Sequence, residues 1–475
     1  MAVETIYDVD GGWVIHGDCV DGMKTLADDS VDSVVTDPPY GIAILGREWD
    51  SFSTTEAFER WTERWAREAL RVLKPGGHAV VFCGDRMYHR MACGVEDAGF
   101  EVRHLIAWTR CLSEDTEVLT EGGWKRGAEV QVGDLVAAWN STTDEIRLEP
   151  VLDVYRAPYR GPMVAFRNRD TDQLLTPNHR VYRKIVRRPQ GAGVRRSNVP
   201  DSEWAAECAG EVRRGQAILL PLASYHDGPG IGGEDYAALL AWVWTEGSFD
   251  KGGNAGLGVR IYQTSSKWHY PVVIDSLLSR LAPNYKRYTR VRRRQDLSHL
   301  TGKPYPRTGE EYVEHTWFFS GPFARRVRRD LPNKRPSWVL LWRMTIKEKY
   351  AFFLAAVRGD GTIRKQPHTF YQKSREDREW FQALLCTIGY HGKLREPMYM
   401  PLRLKSTTQL LFYQLKEHAS VDYDGLVWCV RVPSGAFVAR RNGLVFITGN
   451  SGFPTVAHVA KPINKKLGGE PTVPG

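Results

Sequence analysis

Two nonapeptides constrain this chain more than any other feature. Leu239-Leu-Ala-Trp-Val-Trp-Thr-Glu-Gly247 and Phe353-Leu-Ala-Ala-Val-Arg-Gly-Asp-Gly361 match in apolar start, small residues and a closing acid-glycine pair, with Glu246 and Asp360 114 positions apart. The likeness continues downstream: Tyr262-Gln263-Thr264-Ser265 leads into an amphipathic stretch ending IDSLLSRL, and Tyr371-Gln372-Lys373-Ser374 leads into WFQALLCTIG. A supersecondary unit repeated in this way implies a pseudo-two-fold pair. Helices that cross closely need small residues at the contact. Ala241 and Thr245 facing Ala355 and Gly359 meet that need, and the two carboxyl ends then bring Glu246 and Asp360 together. Adjacent carboxylates repel unless a cation lies between them, and Mg²⁺ takes hard oxygen ligands of this kind.

Both nonapeptides resemble the LAGLIDADG motif of homing endonucleases. The resemblance implies an α+β endonuclease with a pseudo-two-fold repeat over residues 226–415, monomeric and acting on double-stranded DNA. Glu246 and Asp360 would be its metal ligands and catalytic acids with Mg²⁺, and Lys267 or Lys373 would supply positive charge near the transition state.

The segments on either side carry a second pattern. Cys111-Leu-Ser-Glu-Asp-Thr-Glu-Val-Leu, then Gly123-Trp124 and Val132-Gly133-Asp134, resembles the amino-terminal block of inteins, and Gly449-Asn450-Ser451 after LVFI resembles their carboxyl-terminal block. Thr176-Pro177-Asn178-His179 resembles the intein TxxH block. The resemblance implies an all-β splicing horseshoe made of 111–225 and 416–450. The residue types suit the chemistry. A thiol at Cys111 can attack the carbonyl of Arg110 and convert the amide to a thioester. Ser451 then takes the acyl group, and the Asn450 carboxamide closes on its own carbonyl to release the insert without any cofactor. His179 would protonate the leaving nitrogen and Thr176 would help hold the oxyanion. Two positions depart from the commonest pattern: Cys429, where many inteins carry Asp, and Gly449, where many carry a His that assists Asn cyclisation. Cys429 is read as an assisting group or a secondary thioester site.

Removing 111–450 joins HLIAWTR to SGFPTVAH. In the outer part, VDSVVT at 31–36 reads as a buried strand stopped by Asp37-Pro38-Pro39-Tyr40, and a helix from about Glu56 to Val72 leads through a Lys74-Pro75-Gly76-Gly77 turn to a strand at 78–83. This order implies a doubly wound, Rossmann-like α/β layer with its site at the strand ends. Asp37-Pro-Pro-Tyr40 resembles the catalytic motif of DNA methyltransferases that modify exocyclic amines, and Gly17-Asp18-Cys19 matches the β-class approach to it. The resemblance implies S-adenosylmethionine as cofactor, with Asp18 near it, and adenine N6 or cytosine N4 as target. Asp37 and the Pro38 carbonyl would accept the amine N–H bonds, and Tyr40, after Pro39 in the same catalytic motif, would stack on the flipped base. In this class the Gly-rich cofactor loop follows far downstream, and the 25 residues after position 450 contain no such loop. The expected parts are therefore methyltransferase at 1–110 and 451–475, missing its cofactor half, around a self-splicing insert.

Charge agrees with a polyanion partner for that insert. Of the net +9, residues 1–110 contribute −8 and 451–475 contribute +2, leaving +15 on 111–450, which holds KRYTRVRRR at 286–294 and RRVRR at 325–329. Seven scattered cysteines form neither a disulfide framework nor a CxxC zinc site, and no signal peptide or membrane-spanning run is evident, so a cytoplasmic setting in a bacterial or phage-infected cell is expected. Two alternatives stay open. One is an uninterrupted methyltransferase with a large basic target-recognition insertion, and the other is an inactive intein acting as a DNA-binding module.

Overall fold

The computed structural model describes residues 4–9, 12–43, 47–84, 86–108, 110–187, 199–200, 203–212, 217–250, 257–264, 269–293, 309, 311–362, 368–410, 420–449 and 455–462. The chain forms two compact units, Met1–Arg110 with Ser451–Gly475, and Cys111–Asn450.

In the first unit, helix Thr55–Val72 starts at Thr54, whose hydroxyl accepts from the Ala57 amide. Its apolar stripe of Phe58, Trp65, Ala66 and Ala69 packs against Ala79, Val81 and Cys83 of strand Leu73–Gly84. Strand Val31–Thr36 pairs in parallel with that strand, and Lys74 to Gly77 form a bulge in the pairing rather than a separate turn, because Val31 faces Leu73 while Ser33 faces His78. Gly76 takes a positive φ of 83° there. Helices Cys19–Lys24 and Tyr88–Asp97 both pack on Thr55–Val72. Among the described residues the strand expected to be buried lies at the edge of the sheet, paired with Leu73–Gly84, and Val35 is 69% exposed.

The sheet order is Val31–Thr36, Leu73–Gly84, Thr455–Pro462, Phe100–Trp108. Strand Thr455–Pro462 runs antiparallel between its two neighbours, with Thr455 opposite Trp108 and Pro462 opposite Phe100. Segments separated in sequence by 111–450 are thus joined like the arms of a hairpin.

The second unit begins and ends in β structure. A closed barrel contains Leu112–Ser113, Asp153–Arg167, Asp172–Leu175 and Ser420–Arg431, and the long strands pair from Asp153 opposite Arg431 to Val164 opposite Ser420. A six-stranded sheet holds Glu117–Thr120, Gly123–Arg126, Leu135–Asn140, Glu145–Pro150, Ala436–Arg441 and Leu444–Gly449. Strand Thr407–Leu410 pairs with Ala217–Pro221, so the all-β part reaches back before the boundary expected at 415.

Between these β segments the element order repeats: Glu234–Glu246, Gly247–Phe249, Val259–Thr264, His269–Leu281, Lys286–Arg293 and Glu311–Phe319, then Ile346–Asp360, Gly361–Thr362, Thr369–Tyr371, Arg375–Cys386, His391–Gly392 and Tyr399–Arg403. Each half forms a four-stranded sheet in which the last strand of the series lies between the second and third. The first helices of the halves pack together where a Cβ on Gly359 would come within 2.2 Å of Thr245 Oγ1, so only glycine permits the approach. At their other ends the Glu348 carboxylate closes a capping box with Thr345 and also accepts from the Ile231, Gly232 and Gly233 amides that lead into the partner helix. One core continues from these helices into Leu119, Trp139, Val438 and Ile447 of the six-stranded sheet.

Candidate functional site

Cys111 is fully buried and enters the two-residue strand Leu112–Ser113. Leu175 lies opposite Leu112 on one side and Trp428 on the other. The Cys111 amide donates to Thr176 Oγ1 at 2.8 Å, and the Thr176 amide donates to the Cys111 carbonyl at 3.0 Å. Thr176 therefore bonds both the amide nitrogen and the carbonyl oxygen of Cys111. The Thr176 carbonyl accepts from the His179 amide at 2.9 Å, which shapes the turn that carries the histidine.

His179 is buried, and its Nε2 lies 2.7 Å from Thr448 Oγ1 on the last described strand of the second unit, Leu444–Gly449. One imidazole thus ties the turn holding Cys111 to the strand leading toward position 450. Gly449 has a steric reason for departing from histidine: a Cβ there would meet Arg180 Cβ at 2.6 Å and the Arg180 carbonyl at 2.7 Å. Cys429 is buried on Ser420–Arg431 opposite Tyr155, and its thiol donates to the Val430 carbonyl at 3.6 Å. Burial, and secondarily Cys429, pushes the Cys111 thiol well above the ordinary cysteine range. The two expected residues that complete the junction, Asn450 and Ser451, lie outside the described residues.

The Asp37-Pro38-Pro39-Tyr40 loop caps the end of the edge strand, with Asp37 exposed. Tyr40 Oη donates to Asp37 Oδ1 at 2.6 Å, so the phenol and the carboxylate of the loop are in direct contact. Asp50, which sequence reasoning did not single out, is fully buried and accepts from the Tyr40 amide at 2.6 Å, the Gly41 amide at 2.8 Å and the Ile42 amide at 3.3 Å. It pins the loop that presents Asp37. Asp18 caps helix Cys19–Lys24 by accepting from the Val20 amide at 2.9 Å.

A cavity of about 240 Å³ lies beneath Pro38 and Pro39, between Cys19, Met23, Val34 and Trp65. Its described lining holds no carboxylate.

Glu246 and Asp360 end the two paired helices and are half-buried. Gln263 Nε2 donates to Glu246 at 3.3 Å and Gln372 Nε2 donates to Asp360 at 2.6 Å, the same contact in each half. Lys334 joins them. Burial holds its ammonium below the usual lysine range, while Asp360, Glu246 and then Asp377 pull it back up. No repeat or motif marks Lys334; a left-handed turn at Asn333 and Lys334, with φ of 53° and 62°, places it. Lys373 is exposed, and Lys267 lies outside the described residues. Among the described residues no cluster of three or more His, Cys, Asp or Glu side chains converges on a metal position. Two carboxylates still fit Mg²⁺, which keeps several waters and commonly binds through one or two protein carboxylates plus phosphates. Strand Lys286–Arg293 is exposed along its whole length.

The family model described as DNA methylase matches residues 31–138, a stretch that runs from the edge strand past Cys111. A type II methyltransferase of Haemophilus influenzae, M.HinfI, is 24% identical over 111 residues, covering 20% of this chain and 31% of its own length. M.HindIII, also from Haemophilus influenzae, is 22% identical over 181 residues, covering 31% of this chain. The chain spans 31% and 58% of the lengths of these two relatives. The part around Asp37-Pro-Pro-Tyr40 is thus similar to DNA N6/N4 methylases. Among solved structures, I-DmoI in complex with DNA and Mn is 14% identical, with a TM-score of 0.26, covering 36% of this chain and 90% of that one. The AceL NrdHF class 3 split intein, as a splice-inactive variant, is 10% identical, with a TM-score of 0.24, covering 72% of this chain and 99% of that one. No described helix is long and apolar enough to cross a membrane.

Proposed function

We propose that the chain is the precursor of a DNA adenine-N6 or cytosine-N4 methyltransferase, interrupted by a self-splicing intein at 111–450 that carries a DNA homing endonuclease. The observation that carries this reading is the pairing of Phe100–Trp108 with Thr455–Pro462. The strands flanking the insert are already neighbours, so excision leaves a short hairpin connection instead of a gap. The bonding of Cys111 to Thr176, and of His179 to Thr448, adds a buried centre at the start of the insert that reaches its last strand.

The first step forms a bond between Cys111 Sγ and the Arg110 carbonyl carbon and breaks the bond to the Cys111 nitrogen, which becomes an amine. A proton must reach that nitrogen. The Thr176 hydroxyl, which accepts from that nitrogen in the intact chain, would donate its proton to it as the amine leaves and be reprotonated in turn, with His179 as the nearby general acid. Acyl transfer to Ser451, cyclisation of Asn450 and a final shift of the acyl group to the Ser451 nitrogen complete the exchange.

At the nuclease centre Glu246 and Asp360 would hold Mg²⁺, which supplies Lewis-acid activation of a water against a phosphodiester. Gln263 and Gln372 orient the two carboxylates, and Lys334 offsets their mutual repulsion. At the methylation loop Asp50 fixes the backbone while Asp37 and Tyr40 would receive the base.

Two substitutions test the splicing reading. Cys111→Ala should abolish ligation, and Asn450→Ala should leave the carboxyl junction uncleaved, both read on denaturing gels. Normal ligation in both variants would overturn the assignment of nucleophiles. An uninterrupted methyltransferase with a basic insertion instead predicts no cleavage in any variant.

A further inference from the structure

We propose that Cys111 and Cys429 form a reversible disulfide that locks the first splicing nucleophile, a modification site that rests on the splicing reading above. The strand register carries it. Ser420–Arg431 runs antiparallel to Leu112–Ser113, with Val427 opposite Ser113 and Trp428 opposite Leu112. One further step in the same register sets Cys429 opposite Cys111. Directly opposed residues project to the same side of an antiparallel pair with Cα atoms roughly 4.5–5.5 Å apart. Disulfides span Cα separations of about 4.4–6.8 Å.

Two further observations agree. The backbone of Cys111 is held in place by Thr176 on the side away from Cys429, so the opposed arrangement is fixed and not a passing contact. Cys429 is also the one ionisable neighbour that, after burial, raises the Cys111 thiol, as a second thiol close by would.

The oxidant is a small-molecule disulfide. One protein thiolate attacks it, forming a mixed disulfide and releasing one small thiol. The second protein thiolate then attacks the protein sulfur of that mixed disulfide, forming the Cys111–Cys429 bond and releasing the second small thiol. Two protein thiols are oxidised, one small disulfide is reduced to two thiols, and the protons leave to solvent. While bonded to Cys429, the Cys111 sulfur has no thiolate with which to attack the Arg110 carbonyl. Reduction restores it.

The test uses the full chain with Asn450→Ala, which by the splicing reading stays joined at its carboxyl junction. The chain is treated with oxidised glutathione, alkylated and mapped without reduction. Peptides containing Cys111 and Cys429 should be linked, with a mass two hydrogens below the reduced pair. Hydroxylamine cleaves thioesters and leaves disulfides intact. Its cleavage between Arg110 and Cys111 should fall by about tenfold or more on oxidation and return after a phosphine reductant. If exposed Cys19 and Cys93 are oxidised while Cys111 and Cys429 stay unlinked, or if the linked chain is cleaved as fast as the reduced one, the lock is wrong. A linked pair in a chain that hydroxylamine never cleaves, even when reduced, supports the disulfide and overturns the splicing reading instead.

Discussion

The centre proposed for splicing and the loop proposed to receive a base follow opposite rules of exposure. Cys111, Thr176, His179 and Thr448 are all fully buried in the second unit, whereas Asp37 is exposed at the end of an edge strand in the first. The difference reflects where the reactants come from. A splicing reaction joins groups that the fold itself delivers, so its centre can be dry and its thiol kept neutral by burial. A base arrives from outside, so its acceptor must stay open, held by a buried support such as Asp50. The carboxylate pair at Glu246 and Asp360 lies between these extremes, half-buried but at the helix ends that DNA would reach.

That contrast can be broken in several ways. The largest expected effect is at the pair: Glu246→Gln with Asp360→Asn should reduce Mg²⁺-dependent cleavage of an uninterrupted host gene to background while leaving ligation intact. Cleavage that survives both changes removes the pair from the mechanism.

Next is the pH dependence of the first splicing step. Burial raises the Cys111 thiol, so below its folded value the reactive thiolate increases about tenfold per pH unit. Hydroxylamine cleavage of the Asn450→Ala chain should therefore keep rising through pH 9. A plateau near the ordinary cysteine value of about 8.5 would mean that the centre is wet.

Gly449→Ala should cost about 1–3 kcal/mol in thermal unfolding of the second unit, since its Cβ meets Arg180 backbone that cannot move freely. It should also slow release at the carboxyl junction. An unchanged melting temperature would show that the last strand is looser than the packing indicates. The smallest effect is at the open site. Asp37→Asn retains an acceptor for Tyr40 and lies in solvent, so its stability change should stay within about 0.5 kcal/mol. A larger loss would place Asp37 in the fold instead of the site.

Much of this was legible in the sequence because it is periodic or terminal. The duplicated nonapeptides became two helices that end at Glu246 and Asp360, and the echo after each became a strand delivering Gln263 or Gln372 to those acids. Helix Thr55–Val72 and strand Val31–Thr36 followed from apolar spacing and prolines. What was not legible depends on long-range placement. Lys334 and Asp50 carry no pattern; a left-handed turn aims the first, and three amides from a loop eight to ten residues earlier converge on the second. The edge position of Val31–Thr36 depends on which strands pair, and a β-branched run reads the same at an edge as in a centre. The opposition of Cys111 and Cys429 is a matter of register between strands more than 300 residues apart, which local sequence does not encode.

Whether the ends of the proposed insert are held for self-excision is read most directly from the intact mass of the freshly expressed, reduced chain. Self-excision gives a ligated product of 135 residues and a released fragment of 340 residues. A single unbroken 53.9 kDa chain, stable on incubation under reducing conditions, would contradict it.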